Sequence, residues 1–162
     1  MRQIKFRCWN KSRKKMYYPA DQYAPAFELA FSEGFWGVNA WSQGGEWLDK
    51  VAHSEDGDSL MQFTGLTDKN GKEIYEGDLV KANWLVELGI TELDCTGIGI
   101  VEWDENNPCF YLHLIKPYKS GIQQDMTYEE TDLPIFNDGY DERYSFEIIG
   151  NIYETPELLS KQ

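Results

Sequence analysis

The sequence has few basic residues, few histidines and few cysteines. Its 162 residues include 15 lysines and arginines against 28 aspartates and glutamates, a net charge of −13, with two histidines and three cysteines. A chain this acidic repels nucleic-acid backbones over most of its surface, which excludes general phosphate contact as its mode of action. The cysteines form no Cys-x-x-Cys pair, so we expect three reduced, mostly buried thiols in a cytoplasmic protein.

Long apolar runs and the common catalytic motifs are also absent. No stretch of about 18 apolar residues predicts a membrane span, and no apolar segment follows the basic N-terminus as a secretory signal would require. The sequence contains neither a phosphate-binding Gly-rich loop nor a Gly-x-Ser-x-Gly elbow, and neither histidine has neighbours at metal-ligand spacing. We therefore predict a non-enzymatic protein of the bacterial cytoplasm, with no metal and no cofactor.

Apolar residues make up 41% and aromatic residues 15% of the chain, which is enough for a packed core. If the protein is an enzyme, it would be a hydrolase or similar enzyme that uses pairs of carboxylates, such as Asp104-Glu105 and Glu129-Glu130. These pairs lie in polar segments, so we interpret them as solvated loop charge.

The charge is distributed unevenly along the chain. Residues 1–16 hold seven cations and no acid, whereas the rest holds 8 cations against 28 acids. Alternation of Ile4, Phe6 and Cys8 with Lys5 and Arg7 predicts a half-buried strand at the start of a hairpin. The candidate interaction residues are these cations together with one aromatic residue that could stack on a ligand: Arg2, Lys5, Arg7, Trp9, Lys11, Arg13, Lys14 and Lys15.

Three interpretations of this asymmetry remain open. The basic hairpin docks on an acidic body, of its own chain or of another copy; or it binds nucleic acid, with Trp9 and Tyr17 stacking on bases. In the third, the acidic remainder mimics DNA and blocks a host protein.

We expect residues 60–80 to form the structural centre of the fold. Apolar alternation over Met61–Leu66 is followed by a hairpin turn at Asn70-Gly71 and a tight corner at Gly77-Asp78. A strand at 97–103 with a bulge at Ile100-Val101 and a last strand near Phe146 come later, and Thr155-Pro156 then predicts a short C-terminal helical turn. The residues with architectural roles are Gly65, Asn70, Gly71, Gly77, Asp78 and Gly150.

Two segments carry weaker signals. Residues 24–31 have Phe27 and Phe31 four apart, as in one or two helical turns, inside an irregular aromatic segment over 20–58. Residues 121–144 predict a long acidic loop.

The predicted fold is therefore mainly β: small twisted antiparallel sheets or a partly open small barrel, with long irregular insertions and a short C-terminal helical turn. We predict one domain over 1–162, in which a hairpin and the irregular segment occupy 1–59 and a barrel-like core occupies 60–155.

Three segments of the chain resemble the YopX family of phage and prophage proteins. They are Ile4–Asn10 with Lys15-Met16, Leu60–Val80, and Glu147–Glu154 with Pro156–Leu159. Near the start the family usually has Ala-Trp-Asp where this chain has Cys8-Trp9-Asn10. The resemblance implies a phage or prophage origin, a mainly β fold and self-association, and it implies no reaction.

Overall fold

The structure is a computed structural model and describes residues 3–18, 26–41, 47–88, 91–119, 132–134 and 144–160. Its described part is mainly β and antiparallel and ends in a short helix, which confirms the predicted fold class. The elements in chain order are β1 (Phe6–Asn10), β2 (Lys15–Tyr17), β3 (Ala26–Ser32), β4 (Phe35–Trp41), β5 (Trp47–His53), a 3₁₀ turn (Ser54–Asp56), β6 (Ser59–Thr67), β7 (Glu73–Tyr75), β8 (Asp78–Leu88), β9 (Thr91–Asp104), β10 (Cys109–Lys119), β11 (Asp132–Pro134), β12 (Ser145–Asn151) and α1 (Glu157–Ser160).

The chain divides into two compact units, residues 1–63 and 64–162. The first unit carries 8 cations and 8 acids, and the second 7 cations and 20 acids, so the net charge of −13 belongs to the second unit. The prediction of one domain divided after residue 59 stays a prediction.

Two antiparallel sheets, one of them in the order β2-β1-β6-β7, contribute strands to the first unit. In that sheet, β1 lies between β2 and β6, so that Cys8 pairs with Tyr17 on one side and with Leu60 on the other. The other has the order β3-β4-β5. Buried apolar side chains from both sheets form the core of this unit: Cys8, Val38, Ala40, Val51 and Ala52.

The helical and irregular predictions for the aromatic segment are wrong over its described residues. Residues 26–32 form β3, which pairs with β4 through a two-residue turn at Glu33-Gly34. Both turn residues have positive φ, 45° and 88°. A type I′ turn requires positive φ at both positions, and its twist matches that of the two strands it joins. The four-residue spacing of Phe27 and Phe31 is equally compatible with a strand, because it is a multiple of the strand period of two.

The second unit is built on a five-stranded antiparallel sheet in the order β11-β10-β9-β8-β12. Its core includes Leu79, Val80, Val101 and Leu112, each at most 1% exposed. The predicted bulge at Ile100-Val101 is wrong, because β9 keeps its register with β10 through both residues, and the irregularity falls at Leu114/Lys116 of β10. Of the predicted loop 121–144, residues 132–134 form β11, Tyr144 is described outside any strand, and the rest lies outside the described residues.

The turn after β6 confirms the Asn70-Gly71 prediction. Gly71 has φ 81°, and Asp68 accepts hydrogen bonds from the backbone N–H groups of Asn70 (2.8 Å), Lys72 (2.9 Å) and Ile148 (3.2 Å). Burial disfavours ionisation of Asp68, yet these N–H groups outweigh it and lower the pKa of Asp68 below its ordinary value. The carboxylate therefore closes its own turn and holds β12 against it.

The corner at Gly77-Asp78 is also confirmed. Gly77 has φ 77°, its N–H donates to Val101 at 2.8 Å, and its carbonyl accepts from Ile152 at 3.0 Å. Asp78 is 1% exposed and accepts from the backbone N–H of Tyr75 at 2.8 Å. Gly65, another of the predicted structural glycines, lies within β6 and has φ 94°.

The C-terminal turn forms at the predicted place, and the Thr155 side chain, which the sequence predicts as the helix N-cap, bonds back to Asn151. Its hydroxyl accepts from the N–H of Asn151 and donates to the carbonyl of Asn151, both at 2.9 Å, and so ties the end of β12 to the turn. Gly150 is required here because a Cβ at this position would overlap the hydroxyl of Thr155.

Candidate interaction site

Strand β1 is buried on both faces. Arg7, Cys8, Trp9 and Asn10 are each at most 9% exposed. The face with Cys8 packs against the second sheet of the unit. The predicted half-buried strand with a solvated cationic face is therefore wrong at Arg7, which is 3% exposed.

The hairpin turn between β1 and β2 is fixed by two buried polar side chains. Asn10 accepts from the N–H of Arg13 at 2.7 Å and donates to the carbonyl of Val51 at 2.8 Å. Asp58, 8% exposed, accepts from the N–H groups of Lys11 at 2.7 Å and His53 at 3.0 Å. The sequence places Asp58 in a polar acidic loop, and no local signal points to Lys11 as its partner.

Four of the predicted cations, which we call the basic turn, are exposed around this fixed hairpin: Lys11, Arg13, Lys14 and Lys15. Within this group, the ammonium of Lys15 lies 4.8 Å from the ring centre of Tyr17, and a guanidinium nitrogen of Arg13 lies 3.4 Å from the Tyr17 hydroxyl. Tyr17, one of the two rings proposed to stack on bases, is thus already in contact with two cations of the basic turn.

The other predicted interaction residues lie elsewhere. Lys5 is half-buried, with its ammonium 5.2 Å from the ring centre of Phe63. Trp9 is 9% exposed, so its ring has little surface on which a base could stack. Arg2 lies outside the described residues.

A pocket of about 180 Å³ lies between the two sheets of the first unit. Cross-strand register places Tyr17, Cys8 and Leu60 in one row, and Leu29 opposite Val38 in the facing sheet. The lining is mostly apolar and includes two of the predicted cations: Ile4, Lys5, Phe6, Arg7, Cys8, Tyr17, Leu29, Val38 and Leu60. Ile4, 71% exposed, stands at its rim.

The cysteine in this pocket is held in its protonated form. Burial, together with the negative charge of Asp58, raises the pKa of Cys8 to about 12, which keeps it as the neutral thiol. All three cysteines are free, but only Cys8 is buried; Cys95 is half-buried and Cys109 exposed, so the prediction of mostly buried thiols is wrong.

The acidic side chains and the histidines are the residues to consider for metal binding. Among the described residues, no three side chains of metal-ligating type come together. The carboxylate of Asp104, from one predicted acidic pair, accepts from Asn107 (3.0 Å) and from the N–H of Asn106 (2.8 Å), and these bonds lower its pKa. Glu129-Glu130 lies outside the described residues. No helix in the described part of the chain has the length and apolarity to cross a bilayer.

The fold and site define an antiparallel β protein with an apolar pocket near a basic turn. The chain belongs to the YopX family: the family described as YopX protein matches residues 5–160, which confirms the resemblance seen in the sequence.

Two solved structures share the fold along nearly their whole lengths. Protein EF1440 from Enterococcus faecalis is 22% identical, with 98% of this chain and 99% of that chain covered and a TM-score of 0.50. Protein YopX from Bacillus subtilis is 18% identical, with 100% and 99% covered and a TM-score of 0.56. No curated protein matches the sequence significantly. These likenesses establish the fold.

Proposed function

We propose that this protein is a non-enzymatic, phage- or prophage-encoded interaction module of the bacterial host cytoplasm, and that its first unit carries the binding site. The pocket between the two sheets carries this proposal. Apolar side chains line most of it, Ile4 lies exposed at its rim, and Lys5 and Arg7 belong to the lining. A pocket of this kind suits an apolar side chain from a partner protein, presented next to acidic residues.

The distribution of charge supports a second copy of this chain as the partner. The basic turn belongs to a unit with no net charge, and the second unit carries all of the −13. An acidic unit of one copy and the basic turn of another attract each other, which favours homo-oligomers and raises the rate of encounter.

The use of the buried acids supports a role other than catalysis. The buried carboxylates in the described part of the chain belong to Asp58, Asp68 and Asp78, and each accepts backbone N–H groups that fix a turn. An acid committed to backbone donors is poorly placed to exchange protons with a substrate. Three free thiols agree with the reducing interior of a cell.

Light scattering coupled to size exclusion tests the proposal. We expect a mass above the 18.8 kDa of one chain, and we expect Ile4→Glu to lower it, because a carboxylate then stands at the rim of an apolar pocket. Leu159→Glu is the matched control, since Leu159 is also apolar and 37% exposed but belongs to the second unit. A monomer at every concentration and salt condition, with no host protein bound in an Ile4-dependent manner, would contradict the proposal.

The four exposed cations of the basic turn favour a second candidate function, binding of nucleic acid. This site is smaller than the sequence predicts, because Arg7 and Trp9 are buried. Anisotropy of labelled single-stranded and duplex DNA distinguishes the two functions. Binding that weakens steeply with salt and is lost in Lys11→Glu/Lys14→Glu would support the nucleic-acid function. Capture of a basic host protein through the acidic second unit, without DNA, would instead support DNA mimicry.

A further inference from the structure

Among the strands that the structure describes, β3 is the outer strand of its sheet. In the described residues its sheet has the order β3-β4-β5, so β3 pairs with β4 on one side. It is seven residues long, Ala-Phe-Glu-Leu-Ala-Phe-Ser, and Glu28 is its one charged residue. A long, mostly apolar edge strand of low charge is a template for pairing with another strand.

The turn at Glu33-Gly34 determines which backbone groups point to this outer edge. A two-residue turn with positive φ at both positions closes on a hydrogen-bonded pair, here Ser32 and Phe35. Hydrogen-bonded pairs alternate along an antiparallel ladder, so Ala30 also bonds towards β4. The N–H and C=O groups of residues 27, 29 and 31 therefore face outward.

The sequence of β3 is complementary to itself in antiparallel register. With a two-fold axis at Leu29, Leu29 faces Leu29 of the second copy, Phe31 faces residue 27, and Glu28 faces Ala30. Residues 27, 29 and 31 are the ones whose backbone groups face outward. The pairs that they form across the two copies can therefore exchange hydrogen bonds. The two Glu28 side chains do not face each other, which avoids the cost of opposed like charges.

Exposure along β3 agrees with this arrangement. Leu29 lines the pocket, and Phe31, two residues along the same face, is 69% exposed. Register places Phe31 opposite Trp36 and Leu29 opposite Val38, so this face is the one that packs on the first sheet. The apolar face of β3 thus extends from Leu29 in the pocket to Phe31 at the surface. A second copy paired along β3 would cover Phe31.

We infer that two copies of this chain pair antiparallel through β3 about Leu29 and form one continuous six-stranded sheet, β5-β4-β3 joined to β3-β4-β5. The inference rests on the self-association in the proposed function and adds to its charge contact a second surface, the outer edge of β3.

Cysteine cross-linking tests the register. In a Cys109→Ser background, Leu29→Cys brings two thiols together on the axis, where Cα atoms of a hydrogen-bonded pair lie about 5.5 Å apart, within disulfide range. Ala30→Cys is the control, because residue 30 faces residue 28 of the second copy. Residue 30 of the second copy lies two positions further along its strand, too far for the two thiols to form a disulfide. We expect a covalent dimer from Leu29→Cys and none from Ala30→Cys.

A pair of matched variants tests the contribution of the exposed ring. Phe31→Asp places a charge within the paired edge and should weaken dimerisation at least about tenfold. Phe35→Asp makes the same change on the same hairpin, at a residue 47% exposed on the opposite face, and should leave dimerisation nearly unchanged.

The outcomes separate this inference from the proposed function. A wild-type oligomer with no Leu29→Cys cross-link and no effect of Phe31→Asp overturns pairing through β3 but leaves the interaction module intact. A wild-type monomer that binds a host protein through the Ile4 pocket overturns only the inference. Equal cross-linking of Leu29→Cys and Ala30→Cys overturns the register.

Discussion

The backbone N–H of Lys11 donates a 2.7 Å hydrogen bond to the buried carboxylate of Asp58, 47 residues further along the chain. The same carboxylate accepts from the N–H of His53, so one side chain joins the β1–β2 turn to the end of β5. This acid therefore holds the basic turn in place.

Replacement of Asp58 should therefore destabilise the first unit. Asp58→Ala leaves two backbone donors without their acceptor, which costs about 2–4 kcal/mol in the free energy of unfolding. Asp56→Ala is the control, because Asp56 is exposed and solvent screens its ion pair with Lys50, so its loss should hardly change the unfolding midpoint. Urea unfolding of both variants measures the difference, and equal midpoints would show that Asp58 does not anchor the turn.

Asp68 should make stability depend on pH in the acid range. Its pKa in the folded chain is below the ordinary value of 3.8, so its stabilising contribution is present above that value and is lost as pH falls through the lower folded pKa. The wild type should be more stable than Asp68→Asn at neutral pH, and the gap should narrow below about pH 4. Denaturant midpoints of both proteins across this range measure it; a gap that stays constant with pH would contradict the assigned role.

Gly77→Val tests the corner between β7 and β8. Gly77 has φ 77°, a conformation that a β-branched residue adopts only with strain, and we expect a loss of about 1–3 kcal/mol and a clearly lower melting temperature. Glu105→Ala, in an exposed turn of the same unit, should leave the melting temperature almost unchanged. Equal melting temperatures would mean that the glycine is not required by the architecture.

The three thiols should react at different rates. Cys8 is buried with its pKa raised to about 12, whereas Cys109 is exposed. A thiol reagent at neutral pH should modify Cys109 first, and Cys8 only after unfolding. Mass mapping of the modified peptides identifies the order, and early labelling of Cys8 would show that the first unit opens readily.

The sequence predicts best where local signals agree. Asn70-Gly71, Gly77-Asp78 and the C-terminal turn each follow from turn chemistry within a few residues, and all three form at the predicted place. Residues 26–32 were ambiguous, because a four-residue aromatic spacing fits both a helix and a strand, and the deciding Glu33-Gly34 turn has no strong signal at Glu33.

Burial in the candidate site could not be predicted from local sequence. Alternation along β1 suggests a solvated face for Arg7, yet side chains on both faces of this strand are buried. The pocket combines Ile4 with Leu29, Val38 and Leu60, which come together only through sheet packing. Asp58 is identifiable as an anchor only once Lys11 and His53 are placed beside it.

Hydrogen exchange measured at low and high protein concentration tests the central claim most directly, because it locates the interaction surface without a substitution. We expect amides of residues 4–8 and of β3 to become more protected as concentration rises, while those of β12 in the second unit do not change. Protection confined to the second unit, or no change in either unit while the protein is oligomeric, would contradict the claim that the first unit carries the binding site.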